Sequence, residues 1–289
     1  MNNDKLIPDR RFEIMAEVAA ASLLAKLGIT RAEVPDTLII AGTGWGDVIA
    51  EGDMESVVSR ERVDGFTKIE NAPGHAGTFG IAIIGGKRVA VTNGRVHMWQ
   101  SAAAENPRHV TDMVRLQHEM WAVLGVKYMI ATCGAGSLNE SLAPEGTVVV
   151  MSDIDHGDIP LPFSAFVTPG APINPLQEGV FTLKAVQALH ALNDGWVHVG
   201  PHKVVLGPAV ESLQRKLASA SQGFVSIGMS VPPAAAIAHL YGMGFIAVAL
   251  MTNGMVEVLD GKANGKAGRS QAARLHRYLG ALVNLFPEG

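Results

Sequence analysis

Gly74–Gln100, GHAGTFGIAIIGGKRVAVTNGRVHMWQ, is the stretch whose reading decides the fold. It opens on a tight Gly-His-Ala-Gly turn and passes through two short apolar runs, Phe79–Ile84 and Val89–Thr92, joined by Gly85-Gly86. It then closes on Gly94-Arg95-Val96-His97. Two β-forming runs around a Gly-Gly pair predict a hairpin, and a hairpin presents His75, Arg95 and His97 to a single anion. Taken alone, the segment favours a surface hairpin with solvated basic residues, and the other glycine-punctuated strand ends shift that balance.

Working outward, other strands also end in glycine. Thr37–Ala41 is a continuous apolar run of the kind buried on both faces of a sheet, and it leads into Gly42-Thr43-Gly44-Trp45-Gly46. This loop is neither a dinucleotide fingerprint nor a P-loop, but it brings backbone N–H groups and the Thr43 hydroxyl to a strand end, where an anion can be held. Val126–Thr132 reads as a second buried strand, delivering a glycine loop over Cys133–Asn139. Further on, His202–Leu206 delivers Gly207-Pro208-Ala209-Val210-Glu211, and Phe224–Ile227 delivers Gly228-Met229-Ser230. Pro232-Pro233 and the Ala-rich run to Leu240 predict a helix with Ser230 at its N-terminus, a natural phosphate position. Gly244–Met251 is an apolar strand ending in Thr252-Asn253-Gly254.

Helical periodicity covers Pro8–Leu27, Pro107–Leu124, Gly179–Leu192 and Arg269–Phe286. Ile159–Pro175 is Pro-rich and reads as loop, a lid or a subunit contact. Asp153, Asp155, His156 and Asp158 have metal-like spacing but no EF-hand or His-x-x-x-His frame, so no metal site is expected. Strands and helices alternate without a linker-like break. The expectation is one α/β domain over 1–289, a mixed central β-sheet flanked by helices.

Composition narrows the function. The 289 residues are 48% hydrophobic and 17% charged, with 32 Gly and a net charge of -4. A slightly acidic chain without a Lys/Arg cluster is not expected to bind nucleic acid, and no apolar run reaches bilayer length, so no membrane partner is expected. One cysteine, Cys133, and no secretory pattern favour the cytoplasm.

In this order, the strand-end motifs resemble the trimeric purine nucleoside phosphorylase family. The resemblance rests on Gly42–Gly46, Gly74-His75-Ala76-Gly77, Gly94-Arg95-Val96-His97, Ala135–Asn139, Gly207-Pro208 with Glu211, Gly228–Pro232, and Thr252-Asn253. It implies a homotrimer that cleaves the N-glycosidic bond of 6-oxopurine nucleosides with phosphate, yielding free base and pentose 1-phosphate. Inorganic phosphate would be the co-substrate, with no metal or organic cofactor. Phosphate would lie among Thr43, His75, Arg95, His97, the Ala135 backbone and Ser230. The base and sugar would meet Glu211, Asn253, Met229, Val210 and Trp99, with Asn253, Glu211 and His97 as the catalytic set. Phe163 or Phe166 would be the aromatic lent across a subunit boundary.

The sequence departs from that family at defined places. Trp99 and Gln100 stand where the family usually has Tyr and Glu, and Lys262–Gly268 lacks the family's 5′-hydroxyl histidine. A phosphorylase for 5′-deoxy or 5′-methylthio purine nucleosides and a non-catalytic nucleoside-binding paralogue are the alternatives these departures keep open.

Overall fold

The computed structural model describes residues 10–49, 53–72, 74–142, 146–155, 180–256 and 268–287. The readings of His156 and Asp158, of the Ile159–Pro175 loop with Phe163 and Phe166, and of Lys262–Ala267 lie outside them.

The described residues form nine strands in one mixed sheet. Residues 74–100 fold as expected: β3 (Thr78–Ile84) and β4 (Lys87–Asn93) pair antiparallel around Gly85-Gly86, with Thr78 opposite Asn93. β2 (Met54–Ser59), whose alternation of polar and apolar residues the sequence reading passed over, pairs antiparallel with β3 as an edge strand. On the other side, β1 (Thr37–Ala41) runs parallel to β4 and to β5 (Tyr128–Ser137).

Beyond β5 lie β6 (Val148–Asp155), β7 (Val197–Val204), β8 (Ser226–Gly228) and β9 (Gly244–Asn253). The sheet order is β2-β3-β4-β1-β5-β8-β7-β6-β9, and β9 also pairs with β5. The last five strands therefore close on themselves as a small barrel, leaving no free edge among them. Parallel and antiparallel pairs are mixed, as expected.

Strand alternation sorts the core onto the two faces of the sheet. Leu38 and Ile40 of β1, with Phe245, Ala247 and Met251 of β9, join one cluster with α1 (Arg10–Leu27), α2 (Pro107–Val123) and α5 (Pro232–Leu240). Ile39 and Ala41, with Ile246, Val248 and Leu250, join the other, beneath α3 (Val180–His190) and α6 (Ala272–Val283).

Three segments correct the sequence reading. The second glycine stretch is not a loop: β5 continues through Gly134-Ala135-Gly136-Ser137, paired with β9 to Gly136↔Asn253. The strand before Gly207 spans Val197–Val204 rather than His202–Leu206, because His198 and Gly200 continue the ladder with β6. A helix absent from the reading, α4 (Leu213–Ser221), follows Glu211 and is capped by the Ser212 side chain. At nine residues it is short, and with only Leu213 and Leu217 as large apolar side chains, both exposed, it buries little.

Candidate active site

The hairpin assembles the first wall. Antiparallel pairing puts Gly74–Gly77 and Gly94–His97 at the same end, opposite the Gly85-Gly86 turn. Gly94 has φ +79°, and a Cβ there would lie 2.6 Å from the His75 Cβ, so the crossing needs glycine on both steric and backbone grounds. The His75 and His97 rings stack at 5.1 Å, and His97 stacks on Trp99 at 5.6 Å. From behind, Gln117 of α2 grips the Val96 peptide: Val96 N donates to Oε1 at 2.8 Å, and Nε2 donates to Val96 O at 2.9 Å. Gln100 accepts from His97 N at 2.7 Å and so fixes the next turn.

The floor is where β1 and β5 end. Thr132 ties them together, accepting from Gly42 N at 3.1 Å and donating to Ile40 O at 2.8 Å. The Trp45 ring N–H donates to Cys133 O at 3.1 Å and anchors the glycine loop to β5. Arg95 runs beneath Gly42, with its guanidinium directed at Thr132 O and, at 3.5 Å, at Ser230 O. A Cβ on residue 42 would collide with Arg95 Nη2. Burial pulls the Arg95 pKa down to about 10, which still leaves it charged at neutral pH.

His75 has a defined tautomer. Its Nδ1 has two neighbours, the Arg95 N–H at 3.1 Å and the Arg95 carbonyl at 3.3 Å. The backbone N–H can only donate and makes the shorter contact, so Nδ1 is the acceptor. Burial, reinforced by the Arg95 charge, lowers the His75 pKa to about 4, so the ring carries one proton, on Nε2. That proton is donated to Thr43 Oγ1 at 3.1 Å, leaving the threonine hydroxyl hydrogen to point elsewhere. His97 is likewise held well below the ordinary histidine pKa, by burial first and then by His75 and Arg95.

These walls enclose a cavity of about 340 Å³, a size suited to a small organic ligand. Nine of the eleven expected site residues line it: Thr43, His97, Trp99, Ala135, Val210, Glu211, Met229, Ser230 and Asn253. His75 and Arg95 do not, and lie behind Thr43 and Gly42. Ser230 stands just before α5, whose N-cap position is Val231. Asn253 is 5% exposed, and its carboxamide nitrogen would be 3.3 Å from a Cβ on Gly136 across the β5–β9 pair. The register of that pair breaks between Ala135 and Gly136, a bulge that re-aims the backbone at the cavity.

The sequence reading missed Thr132 and Gln117, which sit inside a predicted strand and helix and declare their role only by the backbone groups they meet. Thr252, beside Asn253, also lines the cavity. Cys133 is buried, and desolvation raises its pKa to about 11, so it is not a poised nucleophile. Of the acidic run, Asp153 accepts from Ile154 N and Asp155 pairs with Lys203.

Comparison with known proteins places this geometry. Bovine purine nucleoside phosphorylase is 24% identical over 271 residues, covering 88% of this chain and 90% of that protein. Purine nucleoside phosphorylase 1 of Geobacillus stearothermophilus is 25% identical over 229 residues, covering 78% and 81%. The crystal structure of Schistosoma mansoni purine nucleoside phosphorylase in complex with inosine shares the fold, with a TM-score of 0.77 at 23% identity over 96% of this chain and 98% of that one. The model of the phosphorylase superfamily matches residues 37–284, which takes in all nine strands and every cavity-lining residue. The chain therefore belongs to the phosphorylase superfamily, in which its relatives are purine nucleoside phosphorylases.

Proposed function

We propose that this chain is a purine nucleoside phosphorylase acting on 6-oxopurine nucleosides such as inosine and guanosine. The observation that carries the reading is that Glu211 and Asn253 share one cavity with Thr43, His97 and Ser230. Such a cavity offers partners for a base and for an anion together. Phosphate would take hydrogen bonds from Thr43, Ser230 and the Ala135 backbone beside the His97 ring. The Arg95 charge behind Gly42 would supply positive potential from within the protein, where screening is weak.

Breaking the N-glycosidic bond makes the sugar cationic and puts negative charge on the departing purine, and groups matched to that charge distribution lower the barrier. Bound phosphate is the nucleophile and the neighbouring anion. The Asn253 carboxamide donates toward the N7 side of the base, and the Glu211 carboxylate accepts from the N1–H of a 6-oxopurine. Met229, Val210 and Trp99 cover the sugar. This chemistry asks for no metal or organic cofactor, only inorganic phosphate as co-substrate. The reading includes a homotrimer, to be tested by light scattering on the purified protein, and a cytoplasmic setting, with which a free buried cysteine is consistent.

Base release from inosine, guanosine, adenosine and 5′-methylthioadenosine, with and without phosphate, tests the reading. Phosphate-dependent release from inosine or guanosine is the expected result. Release confined to the methylthio nucleoside moves the substrate to 5′-modified sugars. Nucleoside binding without turnover makes the chain a non-catalytic paralogue.

A further inference from the structure

Lys216 is 2% exposed, the one lysine buried to that degree among the described residues. It lies on α4, and its ammonium donates to the Gly254 carbonyl at 3.1 Å. No carboxylate of the described residues lies within 4.0 Å of it. Among the described residues its charge therefore rests on a backbone carbonyl alone, and its position calls for an account.

That account runs through Gly254. The same carbonyl accepts from Asn253 Nδ2 at a longer 3.4 Å, while Asn253 Oδ1 accepts from Thr252 Oγ1 at 3.3 Å. An ammonium is the stronger donor, so it claims the carbonyl and leaves the Asn253 amide loosely held. The carbonyl still sets the sense of the carboxamide, because a flipped Asn253 would turn Oδ1 against Gly254 O. The carbonyl that the cation holds is thus the one that sets which face Asn253 presents to the cavity, using one Nδ2 hydrogen and leaving the other for a ligand.

We propose that Lys216 is a positioning residue for departure of the purine: through Gly254 it orients Asn253, and its charge offsets the negative charge that develops on the leaving base. The proposal rests on the purine nucleoside phosphorylase reading and adds the element that serves the leaving group. It assigns substrates whose base departs as an anion as the class that depends on this lysine.

The test is phosphorolysis of inosine and of 7-methylguanosine by the full-length protein and by Lys216→Met and Lys216→Arg. The 7-methylated base already carries a positive charge and departs without an anion to stabilise. Lys216→Met is expected to lower kcat for inosine about tenfold or more, the scale of one charge-assisted hydrogen bond, with KM little changed. For 7-methylguanosine kcat should stay within about threefold, because that base needs no such hydrogen bond, and Lys216→Arg should recover much of the inosine rate. An equal fall for both nucleosides, or no fall for inosine, overturns the role of Lys216 and leaves the proposed function standing. If Lys216→Met does not fold, the same comparison is made with Lys216→Gln, read in the same way. An unmodified protein inert on both nucleosides strikes down the proposed function and the inference with it.

Discussion

His75 Nε2 stands 3.1 Å from Thr43 Oγ1, and the histidine's other nitrogen accepts from the Arg95 backbone N–H at 3.1 Å. Thr43 lines the cavity and His75 does not. In the proposed reading the histidine would therefore act on phosphate through the threonine, by occupying one lone pair of its hydroxyl. His75→Ala should raise the KM for phosphate about tenfold, the scale of one hydrogen bond and a freed rotor. In a Thr43→Val background the same change should add little, a non-additivity that a double-mutant cycle measures directly. Full additivity would place His75 on the phosphate itself.

Gln117 satisfies both the N–H and the carbonyl of Val96 from a fully buried position. Gln117→Leu keeps the volume but strands two backbone groups, at about 1–3 kcal/mol for each buried group left unpaired. Urea denaturation should show a loss of that order, and the phosphate KM should rise as the Arg95–His97 segment loosens. An unchanged midpoint would mean that the segment is held by the hairpin alone.

Four buried histidines make the fold acid-sensitive. Burial lowers the pKa of His75 to about 4 and of His118 and His202 to about 3, and it holds His97 well below its ordinary value. In the unfolded chain each titrates near 6.5. Between those values the unfolded state binds more protons, so stability is complete above about pH 6.5 and falls as pH drops through 6 and 5. Well below pH 6.5 each of His75, His118 and His202 adds a slope approaching about 1 kcal/mol per pH unit, and His97 acts in the same direction. Thermal melts from pH 7.5 to 5 should show a falling Tm, and calorimetry in buffers of different ionisation heat should show proton uptake on unfolding at pH 5.5. A flat Tm over that range would contradict the burial of these rings.

Asn253→Asp should shift preference from 6-oxopurine toward 6-aminopurine nucleosides. A protonated Asp can donate at N7 and accept from an exocyclic amine, which the amide in its present orientation does not do. The ratio of kcat/KM for inosine and adenosine is the measurement. An unchanged ratio would remove Asn253 from the base.

Much of the fold was written in local pattern. The apolar run Thr37–Ala41 became a strand buried on both faces, and Gly85-Gly86 became the hairpin turn, because periodicity and glycine placement act within a few residues. Gly134–Ser137 read as a loop because glycines weaken a strand in isolation. Pairing with β9 and β8 overrode that preference. α2 read as amphipathic, yet Arg115 to Ala122 are all buried, since the helix is enclosed by α1, α5 and the hairpin end.

The sequence by itself determined the motifs Gly42–Gly46, Gly94–His97, Glu211, Gly228–Pro232 and Thr252-Asn253, and the resemblance they carry to the purine nucleoside phosphorylases implied that Thr43, His97, Glu211, Ser230 and Asn253 would meet, as they do at the cavity. Only the tertiary structure decided which residues face the cavity and which stand behind it. Arg95 and His75 carry the chemistry expected of anion ligands, but Gly42 and Thr43 lie between them and the cavity. Gln117 and Lys216 look like ordinary helix-surface residues until burial sets them against backbone groups, at Val96 and Gly254. The physical reason is range. Propensity and patterning are properties of neighbours in the chain, whereas desolvation and hydrogen-bond satisfaction depend on groups brought together from distant positions.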